Sequence, residues 1–324
     1  MCIRDRHISI EKIAYYSHNG SDGNALKKDL EQGYRPIDFK ALDSNRYNSK
    51  ETKILTQLGN SLLGPIDNSD ISNNVGVYNC TETGGIEDKL HFDLTSKLRG
   101  ANKVSPMMAP NTLSNVSASS LGRILNMNGP NFTISGGRLS FINALDTCLN
   151  HLKLDRIKYG IVTAVEVGSE LCESDRGMKT KTKLPEYGLG FLLKESISAP
   201  FLELKKLYTG HCGRQTNTCE YILDKVYQMI EIKNIDVVVL DVAPHKIEKY
   251  KQSLFSKAHE SIKIVDNMEK LNQPYTSSIP LNILEVFGEE QLEYNAIVRR
   301  VVFITESELG GFGITILGIN KVYE

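Results

Sequence analysis

Two consecutive glycines, Gly136 and Gly137, separate a strand-like segment from a helix-like one, and this junction could carry nucleophilic chemistry. Residues 131–135 read as a short strand, and residues 139–152 have apolar side chains at helical spacing. A strand, a tight glycine turn and a helix form a nucleophile elbow, in which a strained turn pushes one side chain into a cleft. Any strand-to-helix connection can use glycine, so the pattern predicts the shape of the turn and no particular reaction.

The candidate nucleophiles near this turn are serines. Ser135 and Ser140 flank the two glycines, and a serine nucleophile needs an adjacent general base. His245 follows a buried strand predicted at 235–242. One alternative is therefore an acyltransferase that uses a serine or this histidine. The other interpretation of His245 is a surface or helix-capping residue.

Cysteine and histidine spacing indicates no metal site. The six cysteines and seven histidines are scattered along 324 residues without C-x-x-C or H-x-x-x-H pairs. Structural zinc sites use such spacings. We expect no metal and no cofactor, and we expect most cysteines to be small buried hydrophobic residues.

Composition gives no support for a nucleic-acid or membrane-surface partner. The formal net charge is -1 and 24% of the residues are charged, so no basic footprint for nucleic acid is present. The longest apolar stretches, 235–243 and 297–305, are strand-sized, whereas a membrane span needs roughly 20 apolar residues. Residues 1–6 lack a following apolar region typical of a secretory signal. We therefore expect a cytoplasmic protein without a membrane span.

Strand-like and helix-like segments alternate along the chain, which predicts an α/β architecture. The predicted strands are 8–16, 74–78, 131–135, 158–165, 188–193, 235–242, 301–305 and 314–319. The predicted helices are 53–63, 111–125, 139–152, 219–232 and 246–259, of which 111–125 is rich in small residues. The last two strands flank a turn predicted at 308–313.

Three segments, taken in order, resemble the β-ketoacyl synthases. The first, 105–135, has a proline-containing loop, a small-residue helix and the run Gly-Pro-Asn-Phe-Thr-Ile-Ser at 129–135, similar to the family's Gly-Pro-x-x-x-x-x-Thr-Ala-Cys elbow. The second, 187–193, resembles the family's Glu-Gly-Ala-Gly strand. The third, 309–313, resembles its Gly-Phe-Gly-Gly turn and supplies the structural glycines Gly310, Gly311 and Gly313.

This resemblance implies a thiolase-like α/β fold with two similar halves in a layered α-β-α-β-α arrangement, shortened relative to typical ketosynthases. The N-terminal half is expected to cover 1–197 and the C-terminal half 198–324. The shortening is expected in the polar segment before residue 188 and around residue 277, which help to form the substrate entrance in the family.

The match fails at the family's catalytic positions. Gly136, Gly137 and Arg138 occupy the positions of Thr, Ala and the nucleophilic Cys. Arginine stays protonated and cannot form a thioester. Cys148 lies about three helical turns further along, about 15 Å away by helix rise, and is no substitute. We expect Arg138 to pair with a carboxylate, either Asp146 or one from a partner.

The family's two histidines are also not matched. His245 lies near the first, but Lys and Ile follow it where Gly and Thr are expected. The counterpart of the second motif, 276–281, contains no histidine. The resemblance therefore implies a chain that is not a competent β-ketoacyl-ACP synthase on its own.

Family members without the cysteine are chain length factors, which form heterodimers with an active ketosynthase in polyketide and aryl-polyene systems and shape the acyl tunnel. The resemblance implies such a role here, in fatty acid, polyketide or aryl-polyene-type biosynthesis, with indirect contact to acyl-carrier protein. Met107, Met108 and Phe132 are the expected tunnel or dimer-interface residues, and ordinary core methionines are the alternative. A homodimeric structural protein of the same fold is a further alternative.

Overall fold

A computed structural model represents the chain. It describes residues 7–21, 25, 28–29, 37–43, 45–64, 66, 68–82, 84–167, 186–198, 200–213, 217–257, 262–266, 281, 283, 300–307 and 309–320. Most of the polar segment 170–187 and of the segment 276–281 lies outside the described residues, so the expectations placed there are not addressed by the structure.

In the part of the chain that the structure describes, ten strands form one sheet. Most are continuous apolar runs buried on both faces, as expected for strands covered by helices on both sides. The strands are β1 His7–Ser17, β2 Val75–Cys80, β3 Asn131–Ile134, β4 Tyr159–Glu166, β5 Tyr187–Ser196, β6 Leu202–His211, β7 Val237–Asp241, β8 Lys263–Val265, β9 Arg300–Glu306 and β10 Gly311–Ile319.

Some of the helices bury an apolar stripe and begin at a polar cap. The Ser49 hydroxyl accepts a hydrogen bond from the Thr52 amide, and Asn217 caps a later helix in the same way. The α-helices are α1 Phe39–Leu42, α2 Lys50–Leu63, α3 Asn68–Asn74, α4 Ile86–Arg99, α5 Val116–Ile124, α6 Ser140–Lys153, α7 Thr218–Met229 and α8 Pro244–Lys257.

The sheet consists of two halves with the same internal order. The strand order is β3-β2-β4-β5-β1-β6-β10-β9-β7-β8. Counted outward from the centre of the sheet, the first strand of each half is antiparallel to the second, and the second is antiparallel to the third. The two outermost pairs of each half are parallel. The halves meet where Ser9 of β1 pairs with Glu203 of β6. The prediction of two similar halves is confirmed.

Three apolar clusters show how the layers stack. One cluster packs α2 and α5 on the outer face of the first half, and another packs α7 and α8 on the outer face of the second. Between them, α6 contributes Phe141, Ile142 and Leu145 to a cluster that also contains residues of β2, β5, β7 and β9. The layer order is thus α-β-α-β-α, as predicted, with α6 in the middle layer.

The predicted strands and helices are present, with two differences in extent. The predicted helix 111–125 is divided into a 3-10 turn, Ala109–Thr112, and α5, because Leu113 has an extended backbone. The predicted turn at 308–313 is shorter, since Gly311 and Gly313 already belong to β10, where Gly311 pairs with His211 of β6 and Gly313 pairs with Thr305 of β9. The sequence patterns did not predict α1, α3, α4, β6 or β8. In α4 no residue is buried, so its apolar stripe is weak.

Among the helices that the structure describes, none is long and apolar enough to cross a membrane.

Candidate functional site

The turn between β3 and α6 is braced by two hydrogen bonds. The Gly136 amide donates to Ser140 Oγ at 2.7 Å, and the Gly137 amide donates to Glu82 Oε2 at 3.1 Å. Gly137 has φ of 62°, a left-handed conformation that glycine adopts without steric cost. A short 3-10 turn, Gly137–Leu139, then leads into α6. The sequence therefore forms the elbow shape that its glycines predict.

The start of α6 packs against two glycines of β10, Gly311 and Gly313. A Cβ atom at Gly311 would lie 2.7 Å from Leu139 Cδ1, and one at Gly313 would lie 2.2 Å from Ile142 Cδ1. Only glycine leaves room for these two side chains. The third segment of the family resemblance is therefore in contact with the start of α6, which directly follows the first segment in the chain. Gly310, with φ of 82°, forms the turn that precedes β10.

Arg138 lies at the tip of the elbow, and its side chain is half-buried. Its Nη1 atom is buried and has no hydrogen-bond acceptor among the described residues. Within the described residues, no ion pair joins Arg138 to Asp146, so the expected pairing between these two residues is not formed. The elbow thus carries a cation whose hydrogen-bonding capacity is incompletely used.

Two cysteines lie near this region, and both are fully buried. Cys148 on α6 packs against Gly160, where a Cβ atom would lie 2.1 Å from its Sγ, and burial raises the pKa of its thiol. Cys80 lies beside the turn, with Sγ donating to the Ser140 carbonyl at 3.4 Å, and burial raises its pKa well above the ordinary value. A thiol acts as a nucleophile in its thiolate form, so neither cysteine is an activated nucleophile.

Sequence patterns did not point to Cys80 as a neighbour of the turn. It arrives there because β2 pairs in parallel with β3, with Cys80 opposite Ile134. No local pattern encodes that pairing.

The serine and histidine candidates are not assembled into a catalytic pair. Ser135 is exposed, whereas Ser140 is fully buried with its Oγ accepting the Gly136 amide. His245 is exposed in the first turn of α8. In the described part of the chain, no histidine forms a hydrogen bond with either serine; His151, for example, bonds to Tyr78 Oη at 2.6 Å.

A buried polar network lies on the face of β2 opposite to the face that carries Cys80. Asn79 Nδ2 donates to Glu51 Oε1 at 3.0 Å, Ser117 Oγ donates to Glu51 Oε2 at 3.1 Å, and Thr163 Oγ1 donates to Asn79 Oδ1 at 2.9 Å. Burial raises the pKa of Glu51 to about 7, and the nearby Asp88 carboxylate acts in the same direction. The network ties α2, β2, β4 and α5 together. Sequence reasoning missed it because its members are far apart in the chain.

Several large apolar side chains near β3 are exposed. Phe132 of β3 is 43% exposed, although its ring stacks on Tyr78 at 5.9 Å. Met107 is 63% exposed and Met108 is half-buried at the start of the Ala109–Thr112 turn. We use the name β3-edge surface for six exposed apolar residues of this region, Leu94, Leu98, Met107, Leu113, Ile124 and Phe132.

The elements that carry the β3-edge surface pack on one another in turn. Helix α4 packs on the Ala109–Thr112 turn, that turn packs on α5, and α5 packs on β3. Because α4 buries none of its residues in the isolated chain, its apolar side chains Leu94 and Leu98 remain open to solvent.

Comparisons with known proteins show the fold. No protein-family model and no curated protein matches this sequence. The ishigamide ketosynthase/chain length factor superposes with a TM-score of 0.80 at 16% identity, covering 97% of this chain and 100% of that chain. A type II PKS acyl-carrier protein in complex with its ketosynthase bound to the hexaketide gives 0.80 at 14% identity, covering 97% and 99%.

A β-ketoacyl synthase from Burkholderia phymatum gives a TM-score of 0.75 at 11% identity, covering 98% of this chain and 100% of that chain. These identities are low, so the likeness concerns the backbone fold and not the residues of the site. Together with the two similar sheet halves and the glycine turn between β3 and α6, it shows that this chain has the thiolase-like fold of the ketosynthases.

Proposed function

We propose that this protein is a non-catalytic ketosynthase-like subunit that pairs with an active β-ketoacyl-ACP synthase in the cytoplasm and helps to shape its acyl tunnel. The observation that carries the proposal is Arg138 at the tip of the elbow. The turn, its hydrogen bond to Ser140 and the glycines against which α6 packs are present, while Arg138 at the tip has no nucleophilic lone pair. A retained scaffold without a nucleophile fits a partner subunit.

The structural neighbours support this role. One is a ketosynthase/chain length factor, and another is an acyl-carrier protein in complex with its ketosynthase. By analogy, the partner of this chain is an active ketosynthase in polyketide, fatty acid or aryl-polyene-type biosynthesis, and contact with acyl-carrier protein is indirect. The residues 1–197 and 198–324 act as the two thiolase-like halves of one subunit.

The free edge of β3 is the surface we assign to the partner. In the described part of the chain, β3 pairs with β2 alone and lies at the end of the sheet. The Val77 amide donates to the Pro130 carbonyl and the Thr81 amide to the Ile134 carbonyl. Successive residues of a strand direct their N–H and C=O groups to opposite sides. Because the carbonyls of Pro130 and Ile134 face β2, the N–H and C=O groups of Thr133 face away from the sheet. They can pair with a strand of another chain and so extend the sheet.

The β3-edge surface supplies the apolar contact beside that edge. Phe132 is the central aromatic anchor, because large exposed aromatic side chains carry much of the binding energy in protein interfaces. Met107 and Met108 adjoin it and line the end of the acyl tunnel in this proposal. Burial of Leu94 and Leu98 by the partner would also explain why α4 buries no residue on its own.

Co-expression with a ketosynthase that has an intact Cys-His-His set tests the proposal. We expect a stable one-to-one complex by size-exclusion chromatography with light scattering. Phe132→Asp and Thr133→Pro should each weaken the complex, the first by charge burial and the second by removing an outward amide. Ile197→Asp is the matched control, because Ile197 is 82% exposed and lies outside the β3-edge surface.

A homodimer that persists in the presence of candidate ketosynthases would contradict the proposal and favour a structural role. The divergent acyltransferase alternative predicts a covalent acyl adduct by intact-protein mass spectrometry after incubation with acyl-ACP thioesters. We expect none, because Ser140 is buried and Ser135 has no histidine partner among the described residues.

A further inference from the structure

Three aromatic side chains from three different elements are in contact beside β3. Tyr78 of β2 and Phe132 of β3 stack with their ring centroids 5.9 Å apart and an interplanar angle of 3°. The imidazole of His151 on α6 lies 5.7 Å from the Tyr78 ring and 5.6 Å from the Phe132 ring. Each ring therefore contacts the other two, at separations typical of aromatic pairs.

The three rings differ in exposure, and Phe132 is the one that faces solvent. Tyr78 is fully buried and His151 is half-buried, whereas Phe132 is 43% exposed. Strand β3 has four residues, the first two of them exposed, so the strand itself encloses little of the Phe132 side chain. Within the described residues, the rings that contact Phe132 are those of Tyr78 and His151. The orientation of the Phe132 ring therefore depends on these two side chains.

The sequence of β2 directs the Tyr78 hydroxyl toward α6. Residues 76 and 78 point to the same face of the strand, and a Cβ atom at Gly76 would lie 2.8 Å from Tyr78 Oη. The tyrosine ring thus lies over Gly76, where a side chain would displace it. From this position Oη reaches His151 Nδ1 at 2.6 Å.

The Tyr78 hydroxyl is the donor in this hydrogen bond. Burial raises the pKa of Tyr78, so the hydroxyl keeps its proton at neutral pH. Its hydrogen-bond partner among the described residues is His151 Nδ1, and a buried hydroxyl without an acceptor costs free energy. The bond joins a buried ring of the sheet to a ring of α6, and so it fixes both of the rings that contact Phe132.

We propose that Tyr78 and His151 are positioning residues of the partner-binding surface: their hydrogen bond holds the two rings against which Phe132 packs, so that Phe132 meets the partner in one orientation. An interface side chain that is already ordered loses less conformational entropy on binding. The partner's side of this contact is then an apolar pocket that fits a ring in that orientation. This inference rests on the function proposed above and adds residues behind the surface that determine its affinity.

The double variant Tyr78→Phe/His151→Phe tests the proposal, because it keeps three rings and removes the hydrogen bond. Replacing both partners of a buried hydrogen bond by apolar groups of similar shape is nearly neutral for stability, which melting curves check. We expect the complex with a ketosynthase to be about 3- to 10-fold weaker, measured by analytical ultracentrifugation of a dilution series. The control Tyr208→Phe removes the hydroxyl of a ring that contacts Phe312 in the other half of the sheet, and it should leave the affinity unchanged.

The isolated full-length chain provides a second measurement that needs no partner. Ring-¹³C relaxation of phenylalanine-labelled protein should show an ordered Phe132 ring in the native chain and a more mobile one in the double variant. Phe141, which is fully buried in the core, is the internal reference and should be equally ordered in both proteins. A general loosening of the fold would change both signals, whereas loss of positioning changes that of Phe132 alone.

Native affinity of the double variant would overturn the proposal, as would a Phe132 ring that is equally ordered in the two proteins. Equal weakening of the complex by Tyr208→Phe would also overturn it. The two proposals fail in different ways. If the native chain forms no complex with a ketosynthase, the proposed function fails, and the role of Tyr78 and His151 at the interface fails with it. If the native chain and the double variant form equally tight complexes, only the positioning role fails.

Discussion

Gly313 and Ile142 are in direct contact, with the helix side chain occupying the space where a Cβ atom of residue 313 would be. Such a Cβ would lie 2.2 Å from Ile142 Cδ1 and 3.1 Å from Cγ2. This contact seats α6 on β10, in the middle layer of the molecule, and so holds the elbow at a fixed depth. The glycines near the end of the chain thus position a turn more than 170 residues earlier in the sequence.

Gly313→Ala should destabilise the protein by ~1–3 kcal/mol, because the added methyl group overpacks a closed core. Chemical denaturation measures the change. Gly64→Ala is the matched control: Gly64 is exposed at the end of α2 with a right-handed backbone, and a Cβ there would make only ordinary contacts. Equal effects of the two substitutions would show that Gly313 is not a packing constraint.

The buried thiols should resist alkylation in the native state. Cys80, Cys148, Cys212 and Cys219 are buried, and burial raises the pKa of each thiol. In a background with Cys2 and Cys172 replaced by serine, iodoacetamide should add no label at neutral pH within the time that modifies a free thiol fully. Intact-protein mass spectrometry should show four labels after denaturation. Rapid labelling of Cys80 in the native protein would show that the turn between β3 and α6 does not shield this thiol from solvent.

Arg138→Cys should not restore acyl transfer. The substitution supplies a thiol at the elbow, but the sequence does not match the family's two histidine motifs, and no histidine of the described residues forms a hydrogen bond with the flanking serines. After incubation with acyl-ACP thioesters, mass spectrometry should show no stable adduct beyond the level of Leu154→Cys, an exposed control at the end of α6. Ready acylation of the elbow cysteine alone would mean that the site retains more of its chemistry than we propose.

Stability should depend on pH through Glu51. Burial raises its pKa from 4.5 to about 7, so the native state holds more protons than the unfolded state between these values. Stability from this group is fully present below about pH 4.5 and is lost as the pH rises through about 7, by up to ~3 kcal/mol. Glu51→Gln should remove this dependence and stabilise the protein at pH 8.

The glutamine keeps both hydrogen bonds of Glu51, since its oxygen can accept from Asn79 and its amide can donate to Ser117. Denaturation midpoints from pH 4.5 to 8 measure the effect. The control is Glu231→Gln, at an exposed glutamate paired with Lys233, which should follow the native pH profile. If Glu51→Gln also follows the native profile, then Glu51 is not the group responsible.

The amino-acid sequence by itself determined the local elements and their order. The apolar period of 3.6 residues specified α6, the continuous apolar runs specified β4, β7 and β9, and the glycines at 136 and 137 specified the turn. It also determined that arginine stands at the tip of that turn. These features depend on neighbouring residues, so periodicity and backbone propensity are enough to read them.

Only the tertiary structure decided which distant residues meet. The contact of Gly313 with Ile142, the position of Cys80 beside Ser140, and the bonds of Glu51 to Asn79 and Ser117 all join separate segments. Such contacts follow from strand pairing and layer stacking, which no local pattern encodes. The unpaired Arg138 nitrogen and the free edge of β3 became visible in the same way, because burial and pairing are properties of the whole fold.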